Sequence, residues 1–216
     1  MRNISLLLIC FIGFTACKNY TGIPDSFDYG RMDGNVYSNT YFDFTFSMPD
    51  GWQVMENSVM DSLRRKTQED LAEKDPELAK TVKAADVRTA NLLTIICSKD
   101  PNYFLYSANL NFVAENVKIA INVKDGKDYL ESAKKNLGNL EYSLDFKGDI
   151  YKMDINGVEF YVMNLINHYN GLDIKQSYYA SIINGFAFTF VASWITDEQR
   201  TFIDEAISKM KFIKEA

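Results

Sequence analysis

The chain has 216 residues, of which 47% are hydrophobic and 14% aromatic, enough to bury one sizeable core. Its net charge is −6 and no basic stripe runs along it, so nucleic acid is excluded as an expected partner. Of the three cysteines only Cys97 lies in the expected domain, which leaves no disulfide framework. We expect Cys97 to pack as a small buried hydrophobe.

The N-terminus has the pattern of a secretory signal. Arg2 is followed by an apolar run from Ile4 to Phe14, which is too short for a permanent membrane-spanning helix and fits a signal-peptide core. The small residues before Cys17 resemble a bacterial lipobox, in which this cysteine becomes the lipidated first residue. We therefore predict a lipoprotein signal peptide at 1–16 and a fatty-acyl group such as palmitate on Cys17. An ordinary signal peptide, or a buried apolar segment with a chance cysteine, are the alternatives.

The next segment is polar, turn-rich and without periodicity. Residues 17–34 are therefore predicted to be the lipidated cysteine and a flexible tether, followed by a single globular domain over 35–216. This organisation predicts a location in the bacterial cell envelope, anchored by lipid on the extracytoplasmic side of a membrane. The membrane is thus one expected partner.

The domain opens with extended segments and continues into helices. At 41–48, aromatic residues alternate with polar ones, and the turn Pro49-Asp50-Gly51 leads to Trp52, which we expect to close one end of the core. Residues 58–86 predict two helices with N-caps at Ser58 and Asp75. Their charge-dense part is either a solvated lid or a partner-facing helix, and we favour the first because charge runs usually solvate a face.

The middle of the chain predicts strands at 89–98 and 108–114, a helix at 128–137 ended by Gly138, and a strand at 141–146. The segment 117–123 fits either a further strand or the approach to a helix. At the other end of the chain, Thr196 and Gln199 form a capping box, and a helix with one apolar side follows.

Between these parts, residues 150–194 contain three Asn-Gly pairs, each 14 residues after the one before: Asn156-Gly157, Asn170-Gly171 and Asn184-Gly185. Asn-Gly favours a two-residue type I′ hairpin turn, because both turn residues need positive φ. The stretch therefore predicts a four-stranded antiparallel meander. The turns fix its register, so that the expected cross-strand pairs include Met153 with Phe160, His168 with Asp173, and Tyr179 with Phe190.

This register gives the meander two apolar faces. One is a core face, formed by Tyr151, Met153, Ile155, Val158, Phe160, Val162, Ile166, Tyr179, Ile183, Phe186, Phe188, Phe190 and Trp194. The other is mixed but apolar in its middle, where it carries Tyr161, Met163, Leu165, Tyr178, Ala180 and Val191. Because a sheet covered on one side would alternate more cleanly, we expect helices to cover part of both faces.

The segment from Tyr37 to Trp52 resembles the opening of PsbP-like domains, with an extended Tyr-x-Asn, alternating phenylalanines and a Pro-x-Gly-Trp turn. The aromatic strand at 186–194 and the amphipathic helix that runs into Met210 resemble the C-terminal part of these domains. The resemblance covers about residues 35–213. It implies an α+β fold: an antiparallel sheet of about six or more strands with helices on both faces, a PsbP-like α/β/α sandwich that contains the C-terminal meander. The resemblance also implies that these domains share a scaffold used for binding and do not share one reaction.

The one histidine, His168, is expected beside a turn and opposite Asp173, a pairing that invites a catalytic or metal-binding interpretation. We favour an exposed cross-strand pair, because a catalytic triad needs a nucleophile at the ring and a metal needs further ligands. Ser177 and Ser181 lie four and eight residues along the strand from Asp173, about 13 and 26 Å away. We therefore expect no enzymatic activity, no cofactor and no metal.

The aromatic residues exceed what one core face needs. We take five of them as candidates to contact a ligand or partner on the mixed face, although burial under helices is the favoured interpretation: Tyr41, Trp52, Tyr161, Tyr169 and Tyr178. The expected function is a non-enzymatic, membrane-tethered, extracytoplasmic binding or accessory domain, with a protein partner whose identity the sequence does not give. The alternative is a carrier of a small apolar ligand, held between the sheet and the 58–86 helices.

Overall fold

A computed structural model describes residues 22–56, 86–102, 104–138 and 143–213, together with five single positions in the predicted helical segment. The backbone is helical at those positions, as predicted: Ser62, Arg65, Lys66, Glu69 and Glu73. The predicted signal peptide, Cys17, and the helix caps at Ser58 and Asp75 lie outside the described residues.

A seven-stranded antiparallel sheet forms the centre of the fold. Its strands, in spatial order, are β4 (Trp52–Val54), β5 (Thr89–Cys97), β6 (Asn109–Asn116), β10 (Phe186–Trp194), β9 (Leu172–Ile183), β8 (Val158–Tyr169) and β7 (Leu144–Ile155). The last four are the predicted meander. The predicted strands at 89–98 and 108–114 are β5 and β6, and β6 pairs with β10 to join the two halves of the sheet.

The meander has the predicted turns and register. Asn156, Asn170 and Asn184 have φ values of 50°, 50° and 52°, and the glycine after each also has positive φ. As predicted, Met153 pairs with Phe160, His168 with Asp173, and Tyr179 with Phe190.

Strand β7 differs from the prediction. It is one strand of 12 residues, not a strand at 141–146 followed by a separate first strand of the meander. The register shifts between Lys147 and Tyr151, and Gly148 has a φ of 66°. The Lys-Gly-Asp sequence that indicated a break therefore forms a bulge, which lets the ladder continue on both sides.

A second, four-stranded antiparallel sheet was not predicted. It contains β1 (Arg31–Asp33), β2 (Val36–Asn39), β3 (Phe44–Ser47) and β11 (Met210–Phe212), in that order. The rings of Phe44 and Phe46 each lie 5.7 Å from the ring of Phe112 on β6. This sheet therefore brings both ends of the described chain onto one face of the central sheet.

Residues 22–34, expected to lie in the flexible tether, are packed on the domain. Phe27 is 6% exposed, and its ring centre lies 4.8 Å from that of Tyr41 and 5.1 Å from that of Phe186. The side-chain amide of Asn116 donates a hydrogen bond of 2.9 Å to the carbonyl oxygen of Gly22. The folded domain thus includes Gly22, well before the predicted start at residue 35.

Two helices are described in full. Helix α1 (Gly126–Gly138) contains the predicted 128–137, and Asp125 Oδ1 accepts hydrogen bonds from the backbone N–H groups of Lys127 and Asp128 at its start. Helix α2 (Asp197–Ile207) begins at the predicted capping box of Thr196 and Gln199. The segment 117–123 is built of turns, neither strand nor helix. Within the described ranges, no helix combines the length and apolar character needed to cross a membrane.

The two faces of the central sheet bury separate clusters. One contains residues of the second sheet and of α2 with most of the predicted core face, and the other contains residues of α1 with Met163, Leu165, Tyr178, Ala180 and Val191. Two apolar faces were therefore predicted correctly, but a sheet takes part in covering one of them, where helices alone were expected. Tyr151 and Met153 are 47% and 38% exposed, so their predicted burial is wrong. They lie on the edge strand β7, beyond this cover.

Candidate binding groove

Three rows of side chains cross the face of the central sheet where its cover stops. The rows follow from the pairing of β7 with β8, β8 with β9, and β9 with β10. The first row is Asp145, Ile166, Lys175 and Trp194. The second is Lys147, Asn164, Ser177 and Ala192, and the third is Tyr151, Val162, Tyr179 and Phe190. Paired residues point to the same face of a sheet. Helix α2 borders these rows and leaves an open groove with a volume of about 390 Å³. We call it the β7–α2 groove; its lining includes Lys147, Tyr151, Lys175, Ser177, Trp194 and Arg200.

Arg200 connects α2 to the floor of the groove. Its Cζ lies 4.7 Å from the centre of the Trp194 ring. Its Nη1 donates to the hydroxyl of Ser177 at 3.4 Å, and its Nη2 donates to the hydroxyl of Tyr179 at 3.3 Å and lies 2.7 Å from the carboxylate of Asp204. Burial alone would lower the pKa of Arg200, but the interactions with Asp204 and Tyr179 raise it above its usual value. The groove therefore contains a fixed positive charge.

Two further cations line the groove from different strands. Lys147 of β7 is paired with Asp145, and the Nζ of Lys175 on β9 lies 3.2 Å from the carboxylate of Asp197. The Ser177 hydroxyl donates to the side-chain oxygen of Asn164. The groove thus combines cations, hydrogen-bonding groups and the half-exposed ring of Tyr151. Such a set can bind and orient a ligand.

The five predicted aromatic candidates do not form one site. Tyr161 and Tyr178 lie in the cluster beneath α1, and Tyr178 is only 1% exposed. Tyr41 packs beside the Asn184-Gly185 turn, Trp52 is 5% exposed at the start of β4, and Tyr169 lies beside the turn at Asn170. The structure therefore brings only two of the five together, on the face of the sheet opposite the groove.

The side chains of His168 and Asp173 are paired, with Nδ1 and Oδ1 2.7 Å apart, and are 41% and 70% exposed. The pair lies on the same face as the groove, one row beyond the row of Ile166 and Lys175. Ser177, one of the two serines weighed as a nucleophile for His168, donates its hydroxyl hydrogen bond to Asn164. In the part of the chain that the structure describes, no group of three or more His, Cys, Asp or Glu side chains is placed to hold a metal ion.

Glu115 is the carboxyl group with the largest pKa shift that the described residues show. It is 1% exposed on β6, accepts a hydrogen bond of 3.0 Å from the hydroxyl of Tyr129 on α1, and lies 3.6 Å from Nη2 of Arg88. Burial raises the pKa of Glu115 to about 7, although Arg88 and Tyr129 oppose the shift. Its pairing with Ala187 places it on the face opposite the groove, where it connects α1 to the sheet.

The register predicted from the sequence has Tyr151, Ile166 and Trp194 on the groove face, but as core residues. Their polar neighbours Lys147, Asn164, Lys175, Ser177 and Arg200 were not recognised as a site. The available signal was the register itself, because Asn164, Lys175 and Ser177 interrupt an otherwise apolar face.

The fold and the groove define an α+β domain in which an antiparallel sheet has an open groove lined by charged, polar and aromatic residues. The chain is similar to the solution structure of cyanobacterial PsbP (CyanoP) from Synechocystis sp. PCC 6803, with 12% sequence identity and a TM-score of 0.51. The match covers 85% of this chain and 98% of that one. The chain therefore has a PsbP-like fold, which confirms the resemblance seen in its sequence.

A second similar structure is LpqN, a protein involved in cell envelope biogenesis of Mycobacterium tuberculosis. The identity is 17% and the TM-score 0.45, and the match covers 78% of this chain and 82% of that one. No protein-family model matches the chain, and a search of curated proteins found no match either.

Proposed function

We propose that the protein is a non-enzymatic binding or accessory domain, tethered by lipid on the extracytoplasmic side of a membrane in a bacterial cell envelope. The β7–α2 groove is its binding surface. The observation that carries this proposal is that Tyr151, Lys147 and Lys175 lie on a core face of the sheet and yet line an open groove. An aromatic ring held at the surface beside fixed charges is typical of a recognition surface.

The chemistry of the groove supports binding over catalysis. Two hydroxyl groups on this face of the sheet are engaged: Ser177 donates to Asn164, and Tyr179 accepts from Arg200. The nearest imidazole, that of His168, is paired with an exposed carboxylate beside a hairpin turn. A covalent mechanism requires a nucleophile that is activated by an adjacent base.

The position of Gly22 supports a domain whose tether joins it at one end of β6 and β10. Gly22 is held by Asn116 at the end of β6, and it is five residues after Cys17. Five residues span at most about 18 Å. Asn116 pairs with Phe186 at the start of β10, whereas Trp194 lies at the other end of that strand. At about 3.3 Å per residue, Trp194 at the groove lies about 26 Å along β10 from Phe186.

We also propose that the domain has the α/β/α arrangement of PsbP-like domains, with helices on both faces of the central sheet. Residues of α1 and of α2 contribute to different core clusters of the central sheet, which supports helical cover on both faces. The alternative function, a carrier of a small apolar ligand between the sheet and residues 58–86, stays a prediction, because most of that segment lies outside the described residues. The groove described above has polar and charged lining residues, so an apolar ligand would need a different site.

One experiment tests the anchor. The full-length protein is expressed in bacteria with an alkyne-labelled fatty acid, beside a Cys17→Ala variant. We expect label and membrane association in the first and neither in the second. Equal labelling of both proteins would overturn the proposed lipid attachment.

A second experiment tests the binding surface. A photo-crosslinking amino acid is placed at Tyr151, and for comparison at Lys152, which lies on the same strand but points to the other face. In intact cells we expect a defined product from position 151 and none from 152. Equal products at both positions would contradict a role for the groove.

A further inference from the structure

We infer that the β7–α2 groove binds an organic anion, with a carboxylate or phosphate group among its cations and an apolar or planar body over Tyr151. This inference rests on the proposed binding function and names the chemistry of its ligand. It starts from the charge of the lining, in which three cations from β7, β9 and α2 face one carboxylate. The chain as a whole has the opposite balance, with a net charge of −6.

The carboxylates that pair with these cations lie towards solvent. The side chain of Asp197 is 97% exposed, that of Asp204 is 55% exposed and that of Asp145 is 49% exposed, and the last two do not line the groove. The two lysine pairs, with Asp197 and Asp145, are exposed ion pairs of the kind that contributes only about 0–1 kcal/mol. The anionic group of a ligand can therefore take the place of Asp197 and Asp145 at small cost, while Asp204 keeps Arg200 in position.

Arg200 is held in an orientation that suits an anion. Its Nε and Nη2 are directed at Asp204, and its Nη1 is directed at Ser177 on the groove floor. The guanidinium also lies on the ring of Trp194, which fixes its plane. Because Asp204 holds Nε and Nη2, the Nη1 group on the groove side can direct a hydrogen bond to a carboxylate or phosphate group.

The remaining lining residues suit the body of the ligand. Tyr151 is 47% exposed beside the bulge in β7, and Ile166 lies on the floor between Asp145 and Lys175. A volume of about 390 Å³ falls in the range of sites for small molecules. A compound with one flat or branched apolar group and one anionic group fills both parts of the groove.

The test measures binding of naphthalene-2-carboxylate, 2-naphthyl phosphate and the neutral 2-naphthamide to the full-length protein in detergent, by calorimetry. The variant is Lys147→Gln/Lys175→Gln. The matched control is Lys118→Gln, an exposed lysine beside the Asn184-Gly185 turn, at the opposite end of the sheet. Unchanged melting temperatures show that both variants are folded.

We expect one or both anions to bind saturably, the amide at least about tenfold more weakly, and the double variant to lose about tenfold in affinity while the control does not. The stronger anion distinguishes a carboxylate from a phosphate ligand. Equal binding of the amide, equal loss in Lys118→Gln, or no saturable binding of either anion up to about 10 mM would overturn the inference. A product from position 151 in the crosslinking experiment, without binding of either anion, would overturn the ligand class and leave the binding function standing.

Discussion

The guanidinium of Arg200 lies over the indole ring of Trp194, 4.7 Å from its centre, and so joins α2 to the end of β10. Replacing Arg200 with Met keeps much of the apolar length but removes the cation–π contact and the hydrogen bonds. We expect a loss of about 1–2 kcal/mol in the free energy of unfolding, measured by urea denaturation. The exposed Lys209→Met is the control, with an expected change of less than about 0.5 kcal/mol. Equal effects of the two changes would show that the contact contributes nothing.

Gln199 should be among the most sensitive positions of the described chain. Its Nε2 donates to the carboxylate of Asp100 and to the carbonyl oxygen of Tyr106, and its Oε1 accepts from the backbone N–H groups of Ile195 and Thr196. Gln199 is fully buried, so a change to Ala leaves several buried partners unsatisfied. We expect a loss of roughly 2–4 kcal/mol by denaturant unfolding, against about 1 kcal/mol for the cap variant Thr196→Ala. A smaller loss for Gln199→Ala than for Thr196→Ala would contradict this account.

Phe27 should behave as a core residue although it lies in a segment with the sequence of a tether. Its ring contacts Tyr41, Phe42 and Phe186. We expect Phe27→Ala to cost about 3–5 kcal/mol, measured as a shift in the urea midpoint. Tyr29→Ala, at a side chain that is 51% exposed, should cost far less. If both variants were as stable as the parent, the packing of residues 22–34 on the domain would be refuted.

Stability should depend on pH through Glu115. Its pKa is raised from 4.5 to about 7 in the folded state, so between these values the folded protein binds more protons than the unfolded chain. The contribution of Glu115 is therefore fully present below pH 4.5 and is lost as the pH rises through 7. We expect Glu115→Gln to gain stability relative to the parent between about pH 5 and 8, by a few kcal/mol, because each tenfold change in proton affinity corresponds to about 1.4 kcal/mol. Parallel stability curves for the two proteins, measured by urea titration at each pH, would disprove this assignment.

The register of the meander was predictable from sequence because it depends on local chemistry. Each Asn-Gly pair adopts positive φ and fixes the pairing of its own two strands, whatever covers them. The capping box at Thr196 and Gln199 is local in the same way. By contrast, the side-chain contacts of Gln199 with Asp100 and Tyr106 connect residues more than 90 positions apart, and no short motif indicates them.

The groove could not be predicted, because it depends on where the cover of the sheet stops. Register places Tyr151 on the same face as Phe160, but only the tertiary structure shows that Phe160 is fully buried and Tyr151 is half-exposed. Likewise, Gly148 between two strand-like segments fits a turn as well as a bulge. Which one forms is decided by the pairing of β7 with β8 on both sides of it.

The most direct test of the central claim compares the occupancy of the groove in cells and in isolation. Hydroxyl-radical footprinting with mass spectrometry measures the modification rates of Tyr151 and Tyr29, which are 47% and 51% exposed. The full-length protein is examined in intact cells and, after purification, in liposomes, so that the membrane is present in both states. We predict that Tyr151 is modified several-fold more slowly in cells, while Tyr29 is modified at the same rate in both. Equal rates for Tyr151 in the two states would contradict a binding function for the groove.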